Sequence, residues 1–377
     1  MVWTMPGQNG KMNYIEKRGA QCTVMGEEHK RRPHYPGTHP RNYNEKYKEH
    51  NPEKYADTIE HVIKKGSTPA GMHISIMVSE IIDFLKIQPG QRGADATLGY
   101  GGHTRAMLDC LKGSGHIVGL DVDPEESAKT EARLRNAGYG EDILSVRLTN
   151  FSEIDRIAAE FGRFDFILAD LGVSSMQIDN PGRGFSYKTD GPLDLRMNQS
   201  QGMSAAERLL TLSKDELIGM FTENSDEPYA REIADEIFAR IKKGMKIETT
   251  TALREAVEAA LSGLTHNEQK DAVAKSCKRV FQALRIDVNS EFEALYAFLS
   301  KLPDVMNPGG RIAVLTFHSG EDRLVKKSFR ELYKAGIYSE ISEEAVRPTA
   351  EECARNSRAR STKFRYAVVA GEKTGAH

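Results

Sequence analysis

One feature restricts this chain more than any other: short apolar runs alternate with helical stretches. Runs at 92–98, 116–121, 144–148 and 164–170 are separated by segments with helical spacing, such as 124–136. Runs of this length predict strands, and strands alternating with helices predict βαβ units, a parallel sheet with helices on both faces. A helical stripe of Val78, Ile81, Ile82 and Leu85 comes before them and stops at Pro89-Gly90.

Around Ser175 the strand signal ends, and as far as Lys278 only helical patterns follow. Ser204-x-x-Glu207 and Ser213-x-x-Glu216 have the form of capping boxes. Ile233, Ala234, Ile237, Phe238 and Ile241 mark one apolar face, and Leu253, Val257 and Leu261 another. The alternation resumes with Ser290-x-x-Glu293, which predicts a capped helix carrying Phe292, Leu295, Tyr296 and Leu299. Pro308-Gly309-Gly310 predicts a turn into a strand at 311–317, and a last strand is predicted at 364–369. The expected organisation is an α/β domain made of 67–175 and 279–377, interrupted by a helical domain at 176–278. Residues 1–66 differ: they are punctuated by prolines and hold twelve Lys/Arg against eight Asp/Glu. They read as a basic extension followed by one amphipathic helix starting at Asn51-Pro52-Glu53, with an ordinary tail and an RNA-contacting arm equally compatible.

Composition removes several classes. Hydrophobic residues at 39% suffice for a core, so general disorder is excluded. No apolar run approaches the roughly 20 residues of a membrane-spanning helix, and Met1 to Gly10 lacks a secretory pattern. Four dispersed cysteines without Cys-x-x-Cys argue against a disulfide framework or thiolate cage and fit a reducing cytoplasm. No metal ligand set is expected, since His34 and His39 have no carboxylate or thiol partners. With 52 Lys+Arg against 54 Asp+Glu, a polyanion would have to bind a local basic patch.

The strand ends carry the chemistry. The first runs into Asp95-Ala96-Thr97-Leu98-Gly99-Tyr100-Gly101-Gly102-His103. Glycines at a strand-to-helix turn admit a ligand close to the backbone, and the helix beyond offers free N–H groups. Gly99-x-Gly101-Gly102 is not the dinucleotide fingerprint, and no G-K-[ST] follows, which disfavours NAD and nucleoside triphosphates. Asp121 ends the second strand, 19 positions after Gly102 (121 − 102), where an acid accepts hydrogen bonds from a ribose diol. Asp123 suits the N-cap of the following helix better than Asp121 does. Phe151, after the third strand, suits either stacking on a purine or the core. Asp170 ends the fourth strand, facing the crevice where open α/β sheets bind ligands. Together these point to a nucleoside cofactor, and S-adenosylmethionine fits better than NAD.

At these residues the chain resembles the bacterial 16S ribosomal RNA cytosine-N4 methyltransferases. The resemblance runs from about His73 to Ala367. Its landmarks are 95–103, Asp121-Val122-Asp123-Pro124, 170–179, Arg183-Gly184-Phe185-Ser186, 190–197, 281–291, Phe317-His318-Ser319-Gly320-Glu321-Asp322-Arg323 and Ser357-Arg358-Ala359-Arg360-Ser361. It implies a Rossmann-like, seven-stranded class I methyltransferase domain with a helical substrate domain inserted after the fourth strand. It also implies that Gly101, Gly102, His103, Asp121, Phe151, Asp170 and Gln177 contact S-adenosylmethionine. The implied partner is 16S rRNA in the small ribosomal subunit, with a homodimer left open. Met176 and Gly320 stand where the family commonly has proline and leucine, and the 1–66 arm is additional. A different RNA cytosine, or a cofactor-binding ribosome assembly factor, are the alternatives.

On this basis Asp170 is the expected catalytic residue, accepting from the amine, with the carbonyls of Leu171 and Gly172 nearby. Phe185, Phe317 and His318 are the candidates for stacking on the base, each equally suited to the core. Arg183 and Arg196, beside the cofactor residues, and Arg358 and Arg360, in the arginine-rich C-terminal segment, are the expected substrate contacts. Arg323, Lys326, Lys327 and Arg330 form a second basic run, which suits a solvated face as well as RNA.

Overall fold

The computed structural model describes residues 75–371; the basic 1–66 segment, its expected helix and His73 lie outside them. Seven strands form one sheet: β1 Arg92–Asp95, β2 His116–Asp121, β3 Leu144–Leu148, β4 Phe164–Asp170, β5 Met306–Thr316, β6 Tyr338–Ile341 and β7 Lys363–Val369. Their order is β3-β2-β1-β4-β5-β7-β6, parallel except for β7, which runs antiparallel to both neighbours. This is the expected Rossmann-like α/β architecture. The chain leaves β1 toward β2 on one side and returns to β4 on the other. The ends of β1, β2 and β4 therefore border the switch-point crevice, and each ends in an aspartate: Asp95, Asp121 and Asp170.

The central strand β4 and the second half of β5 are nearly continuous apolar runs because both sheet faces are covered there. Side chains alternate, so Val118, Leu120, Ile167 and Ala169 join one cluster with Phe298 and Phe329, while Ile117, Phe166, Leu168 and Leu315 join the other with Ile81 and Met107. Gly93 of β1 is required by packing: a Cβ there would lie 1.9 Å from the Phe166 ring.

Three expectations shift. β5 begins at Met306, not residue 311: Asn307-Pro308-Gly309-Gly310 forms an irregularity within the strand, where pairing jumps from Phe164/Met306 to Phe166/Arg311. The short edge strand β6, exposed at two of its four residues, leaves too weak a periodicity to be predicted. Ser290 caps no helix with its side chain; it sits at φ 48° as the joint between two helices, α10 His266–Asn289 and α11 Glu291–Val305.

Between β4 and β5 lies the helical segment. After the short helix α5 Ser175–Asp179 come α6 Ala205–Thr211, α7 Lys214–Ser225, α8 Ala230–Lys242, α9 Thr250–Ala260 and α10. Ser204 and Ser213 both form the expected capping boxes. These helices close on their own core around Leu217, Phe221, Ile233, Ile237, Leu253 and Val257. That core extends along α10 through Cys277, Phe281 and Leu284, so the helix continues across residue 278, where periodicity alone suggests a parting. Among the described residues no helix is long and apolar enough to cross a membrane.

Candidate active site

The glycine turn after β1 is shaped by backbone conformations that only glycine adopts cheaply. Gly99 and Gly101 have φ of 48° and 82°, and Gly101 is the N-cap of α2 Gly102–Leu111. A Cβ on Gly101 would come within 2.8 Å of the Thr130 methyl, on α3 Pro124–Asn136. Thr130 pins the turn from outside, donating its hydroxyl to the Gly99 carbonyl at 2.5 Å.

Asp121 is bound from below. The Gly99 and Asp123 amides each donate to its carboxylate at 2.9 Å, leaving the group lining the cavity. Burial pushes its pKa up to about 6 against those two hydrogen bonds. Asp123 fills the N-cap role, accepting from the amides of Glu125 and Glu126. Its second oxygen receives Gln177 Nε2 at 2.9 Å and Arg183 at 2.7 Å. Gln177 also accepts from the Ser174 amide in a capping box. Phe151 lines the cavity and packs on the core, meeting Phe298 edge-to-face with centroids 5.2 Å apart.

Asp170 stands at the end of β4, its amide donating to Thr97 Oγ1 at 2.6 Å. Its Oδ2 faces His103 Nδ1 at 3.5 Å, and its Oδ1 is buried with no hydrogen-bond partner among the described residues. Burial raises its pKa to about 6; His103 opposes that rise, and the charges of Asp95 and Glu321 add to it. Glu321, in the first turn of α12 Ser319–Lys334, behaves oppositely. Burial alone would raise it, but His318, Arg285 and the Phe317 amide hold it below the usual carboxylate range.

These groups border one cavity of about 360 Å³. Its lining includes Gly99–His103, Asp121, Asn150, Phe151 and Gln177, together with Met197, Asn289, Glu291, Phe317, Asn356, Arg358 and Ser361. Asp170 to Ser175 lie among its lining residues as well. A ribose acceptor, a glycine cradle, an aromatic wall and an orphaned carboxylate oxygen fit S-adenosylmethionine, and the volume suits a small-molecule site.

Several expected contacts are placed elsewhere. Arg183 is 6% exposed and ties Asp123 to the carbonyls of Arg196 and Met197. It is built as a buried strut, both Nη atoms engaged and Nε buried without a partner among the described residues, and it is absent from the lining of the cavity. Arg196 clamps its neighbour Asp194 through two hydrogen bonds, of 2.9 and 2.7 Å, and reaches the Gly202 carbonyl. Phe185 packs on the helical core. His318 is the N-cap of α12, its Nδ1 accepting from the Glu321 amide, and is absent from the cavity lining. Phe317 and Arg358 do line it, Arg358 with one arm on Asp179 at 3.2 Å. Arg360 is exposed, two residues along.

The fold also assembles residues to which sequence gives no role. Arg285 of α10 grips both oxygens of Glu291 at 2.7 and 2.8 Å, across the Ser290 joint. Glu291, His318 and Glu321 bring one ligand atom each within 4.8 Å of one another, and Arg285 supplies the positive charge beside them. All of these belong to the 281–291 and 317–323 landmarks, so the signal was present as motif, without a function attached.

Comparison with known proteins agrees with this geometry. Residues 70–369 match the MraW methylase family. The chain is 64% identical over 366 residues to "Ribosomal RNA small subunit methyltransferase H 1" of Lachnoclostridium phytofermentans, covering 97% of this chain and all of that protein. It is 65% identical over 348 residues to the protein of the same name from Agathobacter rectalis, covering 92% of this chain and all of the relative. It is 58% identical over 344 residues to "Ribosomal RNA small subunit methyltransferase H 2" of Alkaliphilus metalliredigens, covering 91% and 99%. With 97% of the chain aligned to the first of these, most of the 1–66 segment is shared with that relative.

Proposed function

Because the chain belongs to the MraW methylase family, we propose that it transfers a methyl group from S-adenosylmethionine to the exocyclic N4 amine of a cytosine. The cytosine lies in the decoding centre of 16S ribosomal RNA, in the small ribosomal subunit, and the enzyme works in the cytoplasm. The names of the relatives support the RNA class. The observation that carries the choice of an amine is the cavity itself: an acceptor, Asp170, lines the same cavity as the glycine turn and Asp121 and as Phe317 and Asn356.

S-adenosylmethionine supplies an electrophilic methyl group; the protein must make a poor nucleophile attack it. The lone pair of a cytosine amine is delocalised into the ring. An acceptor for its N–H bonds returns electron density to nitrogen, and holding the amine in line with the methyl accounts for much of the acceleration. Asp170 is that acceptor, with the Leu171 and Gly172 backbone beside it. The base has to leave its stack to enter, and Phe317, which lines the cavity, is the aromatic that receives it in this reading. Asp121 orients the donor through its ribose.

The test is incubation of small subunits lacking the modification with labelled donor, followed by digestion to nucleosides and mass spectrometry. Label in N4-methylcytidine from one decoding-centre position is expected. Label in another nucleoside, or in protein, refutes the assignment.

A further inference from the structure

His103 lies at the N-terminus of α2 and is only 7% exposed. Its ring is fixed at both ends. Nε2 lies 2.9 Å from the Ile76 carbonyl, which can only accept, so in the neutral ring Nε2 carries the hydrogen. Nδ1 is then an unprotonated acceptor, and it is this atom that faces Asp170 Oδ2 at 3.5 Å. An acceptor nitrogen facing a carboxylate has no proton to bind them unless one is added. The charged groups facing the pair are Asp95, from the end of β1, and Glu321, from α12. Asp95 is engaged by the Thr104 hydroxyl at 2.6 Å and the Thr97 amide at 3.2 Å, and Glu321 by the Phe317 amide at 2.8 Å.

We infer that His103 and Asp170 form a two-atom proton reservoir, and that His103 is a positioning residue which takes over, through Asp170, the proton the amine must shed. The inference rests on the function proposed above. As the new N4–C bond forms and the donor's C–S bond breaks, its electron pair staying on sulfur, one N4 proton has to leave. It passes to Asp170 Oδ2 and on to His103 Nδ1, giving an imidazolium whose Nε2–H is already held by Ile76. The proton goes to solvent when the products depart. The charge balance favours this route. A positive sulfonium beside a negative pair becomes a neutral thioether beside a neutral pair, so the water-poor cavity never gains net charge. The 3.5 Å separation is long for a hydrogen bond, as acid–base contacts commonly are before substrate closes the site. The high pKa of Asp170 is consistent with a carboxyl able to receive a proton near neutrality.

Two variants separate this from a structural role. His103→Gln retains a donor at the Nε2 position for Ile76 but offers no second nitrogen. His103→Asn keeps a polar atom near Asp170 that cannot be protonated. In both, kcat measured at donor concentrations that saturate the variant should fall about 100-fold. The acid limb of the kcat profile should also move to higher pH, because the imidazole opposes the upward pull of burial on Asp170. A wild-type kcat and limb in either variant, or a change confined to KM, overturns the inference. Nitrogen-15 spectra of the histidines provide a check independent of any substitution and of turnover. The neutral His103 ring should be the Nε2–H tautomer, and an Nδ1–H ring refutes the arrangement. Absence of N4-methylcytidine from wild-type reactions would instead refute the proposed function, leaving the spectroscopic result standing by itself.

Discussion

Replacing Asp170 by asparagine should make the protein more stable and almost inactive, with the gain in stability depending on pH. The folded pKa of Asp170 is raised from 3.8 to about 6. A group raised in this way contributes fully to stability below its unfolded value, and the contribution is lost as pH climbs through the folded one. At pH 8, and at about 1.36 kcal/mol per pK unit, the ionised carboxylate therefore costs the folded state about 3 kcal/mol. Its side chain is 28% exposed, so solvent screens part of this and about 2 kcal/mol is the better expectation. Asparagine keeps the shape, loses the charge and can donate to His103 Nδ1. In a chain of this size the gain corresponds to a rise of about 4 °C in melting temperature. Thermal unfolding of both proteins without cofactor, from pH 4 to 8, measures it. The curves should coincide below about pH 4, diverge between about pH 4 and 6 and stay a constant distance apart above that, while methyl transfer at pH 8 falls at least about 100-fold. An asparagine variant that melts at or below wild type at pH 8, or a difference independent of pH, would show that the carboxylate is not under the burial strain assigned to it.

Three further outcomes follow from the same geometry. Arg183→Met leaves Asp123 buried without its cation and should cost about 3–5 kcal/mol in urea unfolding; RNA affinity of the folded protein should be unchanged, whereas the reverse pattern would restore Arg183 as a substrate contact. Gly101→Ala forces a Cβ onto a backbone with φ of 82°, 2.8 Å from Thr130. At about 1–2 kcal/mol for the left-handed conformation, calorimetry should show S-adenosylhomocysteine binding weakened by about tenfold; unchanged binding would separate the turn from the cofactor. Arg360→Gln should lower the slope of log affinity for rRNA against log salt by about 0.7–0.9, as expected for one lost phosphate contact; an unaltered slope would place Arg360 off the RNA path.

What the sequence revealed and what it concealed have separate physical origins. Residues 116–121 and 164–170 were legible as strands because a sheet covered on both faces demands largely apolar runs, and 144–148, at the sheet edge, through the alternation of Leu144, Val146 and Leu148. Asp123 was legible as a cap because its partners are the next amides along the chain. Arg183 and Arg196 misled because a guanidinium in a glycine-rich loop looks the same whether it meets solvent, RNA or a buried aspartate sixty residues away in the chain. The deciding quantity is burial, which belongs to the fold. The joint at Ser290 was hidden for a related reason: a serine with a glutamate three residues later normally signals a cap, and only the left-handed backbone at φ 48° shows otherwise. The Arg285–Glu291 clamp depends on that joint, since it brings together residues from two helices that meet there.

The contrast between Asp170 and Glu321 explains why a single carboxylate in this cavity is free to act. Both line it, Glu321 buried and Asp170 half-buried, and the charge of Glu321 raises the cost of charging Asp170. Left equal, they would compete for one proton, and neither would have a defined state at neutral pH. The fold breaks the tie by distributing partners. Glu321 receives the Phe317 and His318 amides on one oxygen and lies 3.1 Å from the His318 ring on the other, with Arg285 nearby. Asp170 receives none on Oδ1 and only a long approach from His103 on Oδ2. Glu321 thus stays charged and keeps the α12 entrance and the Phe317 wall in place, at no cost to the reaction. Asp170 is left both accessible from the cavity and able to change protonation near neutrality, the combination expected where two titratable groups in one site have their pKa values pushed apart. The local instruction is compact: in Phe317-His318-x-x-Glu321 a histidine caps the helix, so the fourth-strand acid has to do without that partner.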